Sequence, residues 1–512
     1  MQNLPYLVIE SRPKTELTLI CSSAFEVQIP PFISRQFRVE HEGNSHFSMR
    51  TEGQAIVLQM LHPLATGVKV YFVDSTIKLA AEPGPRNKER TRFILRPPGV
   101  GTSANAAHKV CALRRQMNAQ KNKAVWVALD SFRIELPSWG FANTGTRFGK
   151  FLQPAAATTI EEKLSDAGEV HRCTGACPTV ALHVLWDFPN GLESVDQVKA
   201  SAEKYSVRPG SINPNVFQDQ IYKYGSLGNP APDIRRTAVA HILESIEIGR
   251  RLESRDISLW FADGSNYPGT ANIRQRRAWF EDGLRQVHGK LGAKQRMLVE
   301  YKPFEPAFYH TDIADWGMAV ALAKSSGPQA KVLVDTGHHY SAQNIEQIVA
   351  WLLGDGMLGG FHFNDRRYAD DDLTLGSIDP YQVFRIFHEI AMYEWETASR
   401  ADIAYMIDQS HNLKGKIEAM IQTVATAQEL YAKAALVDRE KLARHQKSCA
   451  LVDAENCLKD AFSTDVRPAI AEWRRSHGLF EDPLATFRAS GYLERITAER
   501  AEKNRATASS YA

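Results

Sequence analysis

The sequence predicts an α/β protein: a closed (β/α)8 TIM barrel, followed by a C-terminal helical extension and preceded by an atypical N-terminal segment. Three observations lead there. Eight short, apolar, β-rich runs lie between residues 132 and 411, each ending in polar residues. Segments with apolar residues at i, i+3, i+4 and i+7 separate most of them, the alternation expected of parallel βα units. The first run continues into PSWGFANTGTRFG, which lacks the GxGxxG turn of an open doubly wound sheet. Eight units in about 280 residues fit a closed barrel.

The runs, in order, are FRIELPSWG (132–140), VALHVLWD (180–187), RPGSINPNVF (208–217), DISLWFADGS (256–265), RMLVEYKPFEP (296–306), KVLVDTGHH (331–339), GGFHFND (359–365) and IAYMIDQSH (403–411). Stretches such as 234–254 and 343–354 carry the helical period between them. The barrel is therefore assigned to 117–412. From 413 to 512 the apolar period is helical without intervening strands, so this part is assigned to an extension that makes oligomer contacts.

Residues 1–116 show no comparable regularity, and EPGPRNKERTRFILRPPGVGTSANAAHK (82–109) reads as a basic, Pro- and Gly-rich loop. This segment holds 15 Lys+Arg and 9 Asp+Glu, leaving the remainder at a net −4 within a chain of net +2. The expectation is a poorly ordered or spurious extension with translation starting at Met117; a genuine small domain is the alternative.

Composition excludes several classes. With 44% hydrophobic and 23% charged residues the chain is ordinary globular protein. A net charge of +2 gives no general attraction to nucleic acid or anionic membranes. No stretch approaches the ~20 apolar residues of a membrane span, and no signal peptide is recognisable. Six cysteines do not make a disulfide scaffold; Cys173 and Cys177 read as inert buried thiols, and the expected setting is the cytoplasm.

A barrel of this kind carries its chemistry at the C-terminal strand ends. Run five delivers Glu300 and Lys302, two apart and hence on one side of the strand. Run six delivers Asp335 and His338, run seven His362 and Asn364 with Asp370 and Asp372 just beyond, and run eight Asp408. Singly, such residues are often helix caps or core histidines. Together, five carboxylates in one mouth would repel and raise each other's pKa unless cations compensated. Two divalent ions and Lys302 balance that charge, and mixed carboxylate and imidazole ligands suit Mn²⁺, Zn²⁺, Co²⁺ or Mg²⁺. Glu300, Asp335, His362 and Asp408 come from four adjacent strand ends and can close around one ion. His338, Asp370 and Asp372 are expected farther out, around the other. Trp139, His183, Trp186, Phe217, Trp260 and Phe304 would supply the stacking faces and hydrogen-bonding groups that suit a sugar.

The motifs SWGFANTGTRF, YKYGSL, ADGSNYPG, EYKPFEPAFY, LVDTGHH, GGFHFNDRRYADDDL and MIDQSHN, with TDV and ATFRASGY in the tail, resemble the broad-specificity branch of the bacterial L-rhamnose isomerases, within the xylose isomerase-like barrels. The similarity covers about 132–500. The resemblance implies one metal held by Glu300, Asp335, His362 and Asp408, and a second, catalytic one held by His338, Asp370 and Asp372. It implies sugar contacts from Trp139, Phe148, His183, Trp260 and Lys302, and a homotetramer. It implies reversible conversion of an aldose to a ketose, L-rhamnose to L-rhamnulose first among them, in an isomerase that uses two divalent ions, Mn²⁺ foremost. Two departures stand out: Arg366 and Arg367 follow FHFND, which changes loop charge near the second metal and bears on sugar preference, and Tyr301 stands where some relatives have His. Hydrogen transfer between C1 and C2 by metal-assisted hydride shift or by an enediol both remain open. The rival readings are a sugar epimerase using one ion, a metal-dependent phosphodiesterase, which the net −4 of 117–512 disfavours, and a sugar-binding protein without catalysis.

Overall fold

The structure is a computed structural model. It describes residues 119–143, 152–265, 267–305, 309–366, 373–410 and 413–506, together with the backbone of nine strands before residue 97. The chain divides into two compact units, Met1–Ala119 and Gln120–Ala512.

In the first unit, Leu7–Arg12, Glu16–Cys21, Val68–Phe72 and Phe37–Glu40 form a four-stranded antiparallel sheet. Phe47–Glu52, Ala55–Met60, Phe25–Ile29, Thr91–Arg96 and Lys78–Ala81 form a five-stranded one. Thr91–Arg96 lies inside the stretch read from sequence as a loop. Its alternation TRFILR suits a strand, and the Pro, Gly and charge on both sides obscured it.

In the second unit eight parallel strands follow one another around a barrel: Leu136–Pro137, Thr179–His183, Arg208–Asn213, Asp256–Leu259, Arg296–Glu300, Ala330–Asp335, Leu358–Phe363 and Ala404–Ile407. The ring closes where Glu135 N donates to Tyr405 O (2.9 Å) and Ile407 N to Glu135 O (3.0 Å), a parallel bridge between the first and last strands. All eight predicted runs overlap their strand. Helices follow each strand: Ile160–Thr174, Val195–Lys204, Pro232–Arg251, Ile273–His288, Trp316–Ser326, Ile345–Gly354, Pro380–Thr397 and Lys416–Ala435. The last of these packs between the Pro380–Thr397 and Ile160–Thr174 helices. It therefore completes the helical ring, although its sequence alone placed it in the extension. Alternate strand residues part company: Met297, Val299, Val332, Val334, Phe361 and Phe363 face the helices in the main core, while Leu298, Leu333 and Met406 form a separate apolar layer within the barrel.

The remaining helices, Arg439–Lys447, Leu451–Ser463, Arg467–Ser476, Pro483–Ala489 and Tyr492–Ala506, fold back on their own barrel. Arg500 pairs with buried Asp166 (2.7 Å), and Tyr492 donates to the same carboxylate (2.9 Å). Asn504 donates to Pro154 O and Ala156 O and accepts from Asn143. The final helix thus holds both ends of the loop after the first strand, where Phe148 lies outside the described residues. Cys173 and Cys177 are buried and free, and burial pushes their thiols up to about 11 and about 12, which makes them inert. No described helix is long and apolar enough to cross a membrane.

Candidate active site

Above the Leu298, Leu333 and Met406 layer, the next inward positions on the same strands are Glu300, Asp335 and Asp408. His362 joins them from the seventh strand, in register with Asp335. One ligand atom from each of the four lies within 4.8 Å of the others. His362 Nδ1 stands 3.3 Å from Glu300, 3.9 Å from Asp408 and 4.0 Å from Asp335. None of these acids caps a helix. Caps after the strands are supplied by Thr159, Asn272, Asp315, Asn344 and Asp379, so the capping explanation for Asp335 and Asp408 fails.

Each group is oriented by neighbours. Asp335 Oδ1 accepts from Gly337 N (2.6 Å) and Asn364 Nδ2 (3.0 Å); Oδ2, which also accepts from Asn364 Nδ2 (3.3 Å), faces both histidines. Asp408 accepts from the Trp139 indole (2.8 Å). His338 is not farther out, as expected from sequence. The Thr336–Gly337 turn folds it back so that Nδ1 lies 3.2 Å from Glu300 and 3.1 Å from Tyr301 O. Asp370 and Asp372, its expected companions, lie outside the described residues.

The electrostatics reflect crowding. Burial alone would raise Glu300, but His362 and His338 beside it hold it down at about 2. Burial, reinforced by Glu300 and Asp408 against the pull of His338, lifts Asp335 to about 7. Burial disfavours the His362 imidazolium, yet Glu300, Asp408 and Asp335 outweigh it and raise His362 to about 9. His362 Nδ1 faces the three carboxylates, while Nε2 is buried without a hydrogen-bond partner, a costly state that a bound cation relieves. Three carboxylates and one imidazole are a donor set for Mn²⁺, Zn²⁺, Co²⁺ or Mg²⁺, so the residues present fit a divalent ion.

An aromatic wall lines the same mouth. Trp139 meets His183 edge-on at 6.0 Å, His183 stacks on Trp186 at 3.8 Å, and Phe217 bridges to Trp260 at 4.6 Å. The ammonium of buried Lys302 sits 5.2 Å from the Trp260 ring centroid. Phe304 pairs with Tyr340. Burial lowers His183 to about 4, so it is neutral at pH 7. Its Nδ1 lies 3.2 Å from Val184 O, which leaves Nε2 as the acceptor. Sequence reasoning missed Asp187, a fully buried acid that accepts from Ser138 Oγ, His183 N and Lys163 Nζ and so ties the first two strand ends together. Its signal was an acid four residues after His183 with no exposed role. At the opposite end of the barrel a cavity of about 700 Å³ is lined by Glu135, Ser211 and Asp256. Glu135 accepts there from Ser211 N and Oγ, a pin across strand N-termini, the stabilising face of such barrels.

A closed parallel barrel with a carboxylate–imidazole cluster at its C-terminal strand ends is the class that fold and site define. The model of the xylose isomerase-like TIM barrel family matches residues 178–413. Probable sugar isomerases of Mesorhizobium japonicum and Rhizobium meliloti are 40% and 41% identical over 382 residues, 74% of this chain and 88% of each relative. A xylose isomerase of Thermus thermophilus is 25% identical over 236 residues, 43% of this chain and 60% of the relative. The crystal structure of a D-allulose 3-epimerase from Methylomonas sp. aligns with a TM-score of 0.44 at 14% identity, covering 58% of this chain and 98% of the epimerase. The chain belongs to the xylose isomerase-like TIM barrel family.

Proposed function

We propose that the protein is a metal-dependent aldose–ketose isomerase, with L-rhamnose and L-rhamnulose as the favoured pair. The observation that carries this is the convergence of Glu300, Asp335, His362 and Asp408 beneath an aromatic wall carrying one buried lysine. These four residues would hold a divalent ion, with His338 beside Glu300 and Asp370 and Asp372 as further ligands for a second. Bound there, such ions supply Lewis-acid polarisation of sugar oxygens.

The chain's own groups divide the remaining work. Trp139, Phe217 and Trp260 stack on the sugar's C–H faces and exclude water. Lys302 donates to a substrate oxygen. The neutral Nε2 of His183 accepts a hydrogen bond from a sugar hydroxyl and so orients it. Phe148 is assigned to the same sugar pocket. The reading carries a cytoplasmic homotetramer with it; sedimentation of the purified chain tests the tetramer.

The functional test uses the whole chain, stripped with chelator and reloaded with Mn²⁺, incubated with L-rhamnose and a panel of other aldoses. Metal-dependent ketose formation from rhamnose is expected. Ketose from a different aldose moves the substrate, and epimerised ketose with one tightly bound ion favours the epimerase reading. No product from any sugar by metal-loaded, folded protein rejects the proposal.

Metal uptake is also expected to be proton-linked. Raised groups are protonated below their pKa, and ligands must be deprotonated. His362, raised to about 9, and Asp335, raised to about 7, therefore release protons when the ion binds at pH 7, and affinity climbs as pH rises from 6 to 9. Calorimetry in two buffers of different ionisation enthalpy reads this directly; equal apparent enthalpies would contradict it.

A further inference from the structure

The Trp139 indole is placed for more than stacking. We propose that Trp139 is a positioning residue, whose N–H fixes the Asp408 carboxylate for metal binding and couples the sugar wall to the metal cluster. The inference rests on the metal reading above.

Three features support it. The indole N–H donates to Asp408 Oδ1 at 2.8 Å, leaving Oδ2 as the oxygen that faces His362 at 3.9 Å. A ligand carboxylate with one oxygen occupied by a fixed donor keeps the other aimed at the ion. Next, Trp139 is held from the second strand end: its neighbour Ser138 donates to buried Asp187, which also accepts from Lys163 and from His183 N. Trp139 and His183, edge to face at 6.0 Å, are thereby anchored on one buried acid. Finally, Gly140 seats the same turn against the eighth strand end. A Cβ there would lie 2.9 Å from Gln409 O, the residue after Asp408, and would collide with the Met420 methyl. The methionine can move; the carbonyl moves only if the strand end moves. The indole is thus clamped between the groups that fix His183 and the backbone that carries Asp408.

Trp139 is half-buried and outside the apolar core clusters, so Trp139→Phe retains an aromatic ring and the fold while removing the donor and part of the stacking face; metal affinity measured without sugar reads the donor. Metal affinity of full-length protein is measured by competition with a chromophoric chelator, using Mn²⁺ and Co²⁺, and the Co²⁺ d–d absorption of the loaded protein is recorded. Trp139→Phe is expected to weaken metal binding about 10- to 100-fold, the range for loss of an outer-shell partner, and to shift the Co²⁺ spectrum. Gly140→Ala, which removes no ligand and no donor, is expected to weaken it in the same direction. Wild-type affinity and spectrum in Trp139→Phe would overturn the inference. Asp335→Asn separates this from failure of the metal reading. If wild type and Asp335→Asn bind metal equally, the cluster is not the site. If Asp335→Asn loses metal while Trp139→Phe matches wild type, only the positioning role falls.

Discussion

Asp335→Asn is expected to reduce kcat/KM by about 10³-fold, or ~4 kcal/mol of transition-state stabilisation, without unfolding the protein. The side chain is fully buried, and its Oδ1 is already taken by Gly337 N and Asn364. An amide has the same shape and keeps that acceptor, so the turn holds. What changes is Oδ2, which faces His338 and His362 at 4.0 Å each. There the substitution replaces an anionic ligand oxygen with a neutral NH₂ donor. Without metal, the variant loses repulsion from Glu300 and Asp408, the interactions that help raise Asp335, so its thermal stability equals or exceeds that of stripped wild type. The combination is diagnostic: activity and metal stoichiometry fall while the metal-free Tm does not. Near-normal kcat with stoichiometric metal would sink the assignment of this residue. His338→Ala is expected to lose turnover as well, through its contact with Glu300.

A second large effect is expected at Asp263, where the loss is of stability. Asp263 also stands just beyond a strand end, and by sequence position it looks like Asp335 or Asp408. The structure gives it a different task. Its carboxylate accepts from Ser226 N and Oγ at 2.6 Å each and from Gly228 N at 2.8 Å, and it lies 3.9 Å from Arg276. It pins the GSLG turn of the YKYGSL motif to the ADGSN motif. Gly225 and Gly228 are required there, since a Cβ at either would crowd Asp263 and Arg276. Asp263→Ala leaves two backbone N–H groups and a hydroxyl without an acceptor and removes one of the two carboxylates near buried Arg276; the other, Asp312, remains at 2.6 Å. The expected cost is about 3–5 kcal/mol, read from chemical denaturation of the stripped protein. A change within about 0.5 kcal/mol, typical of a surface substitution, would show that the turn holds without it.

Much of the barrel was legible because its signals are local. A strand buried on both faces is a short apolar run, a covering helix has its period, and their alternation leaves few topologies. The spacing of Glu300 and Lys302 on one strand, and the histidine within FHFND, likewise reveal groups with no structural need to be there. Sequence by itself therefore determined the order of the eight units and which polar residues end them.

Other features depend on contacts between residues far apart in the chain. Lys416–Ala435 reads as the first helix of an extension, and only closure of the ring makes it the eighth barrel helix. His338 follows Asp335 by three positions in any conformation; the turn through Thr336 and Gly337 brings it against Glu300. Trp139 and Asp408 are 269 residues apart, and their hydrogen bond exists because the first and last strands meet. Asp263 and Asp335 look alike in sequence, and what separates them is that Ser226 and Gly228 occupy both oxygens of Asp263, whereas Asp335 turns one oxygen toward His338 and His362. Tertiary structure decided these points because a side chain's protonation and task are set by the charges and donors within a few ångströms, and barrel closure determines which of them arrive there.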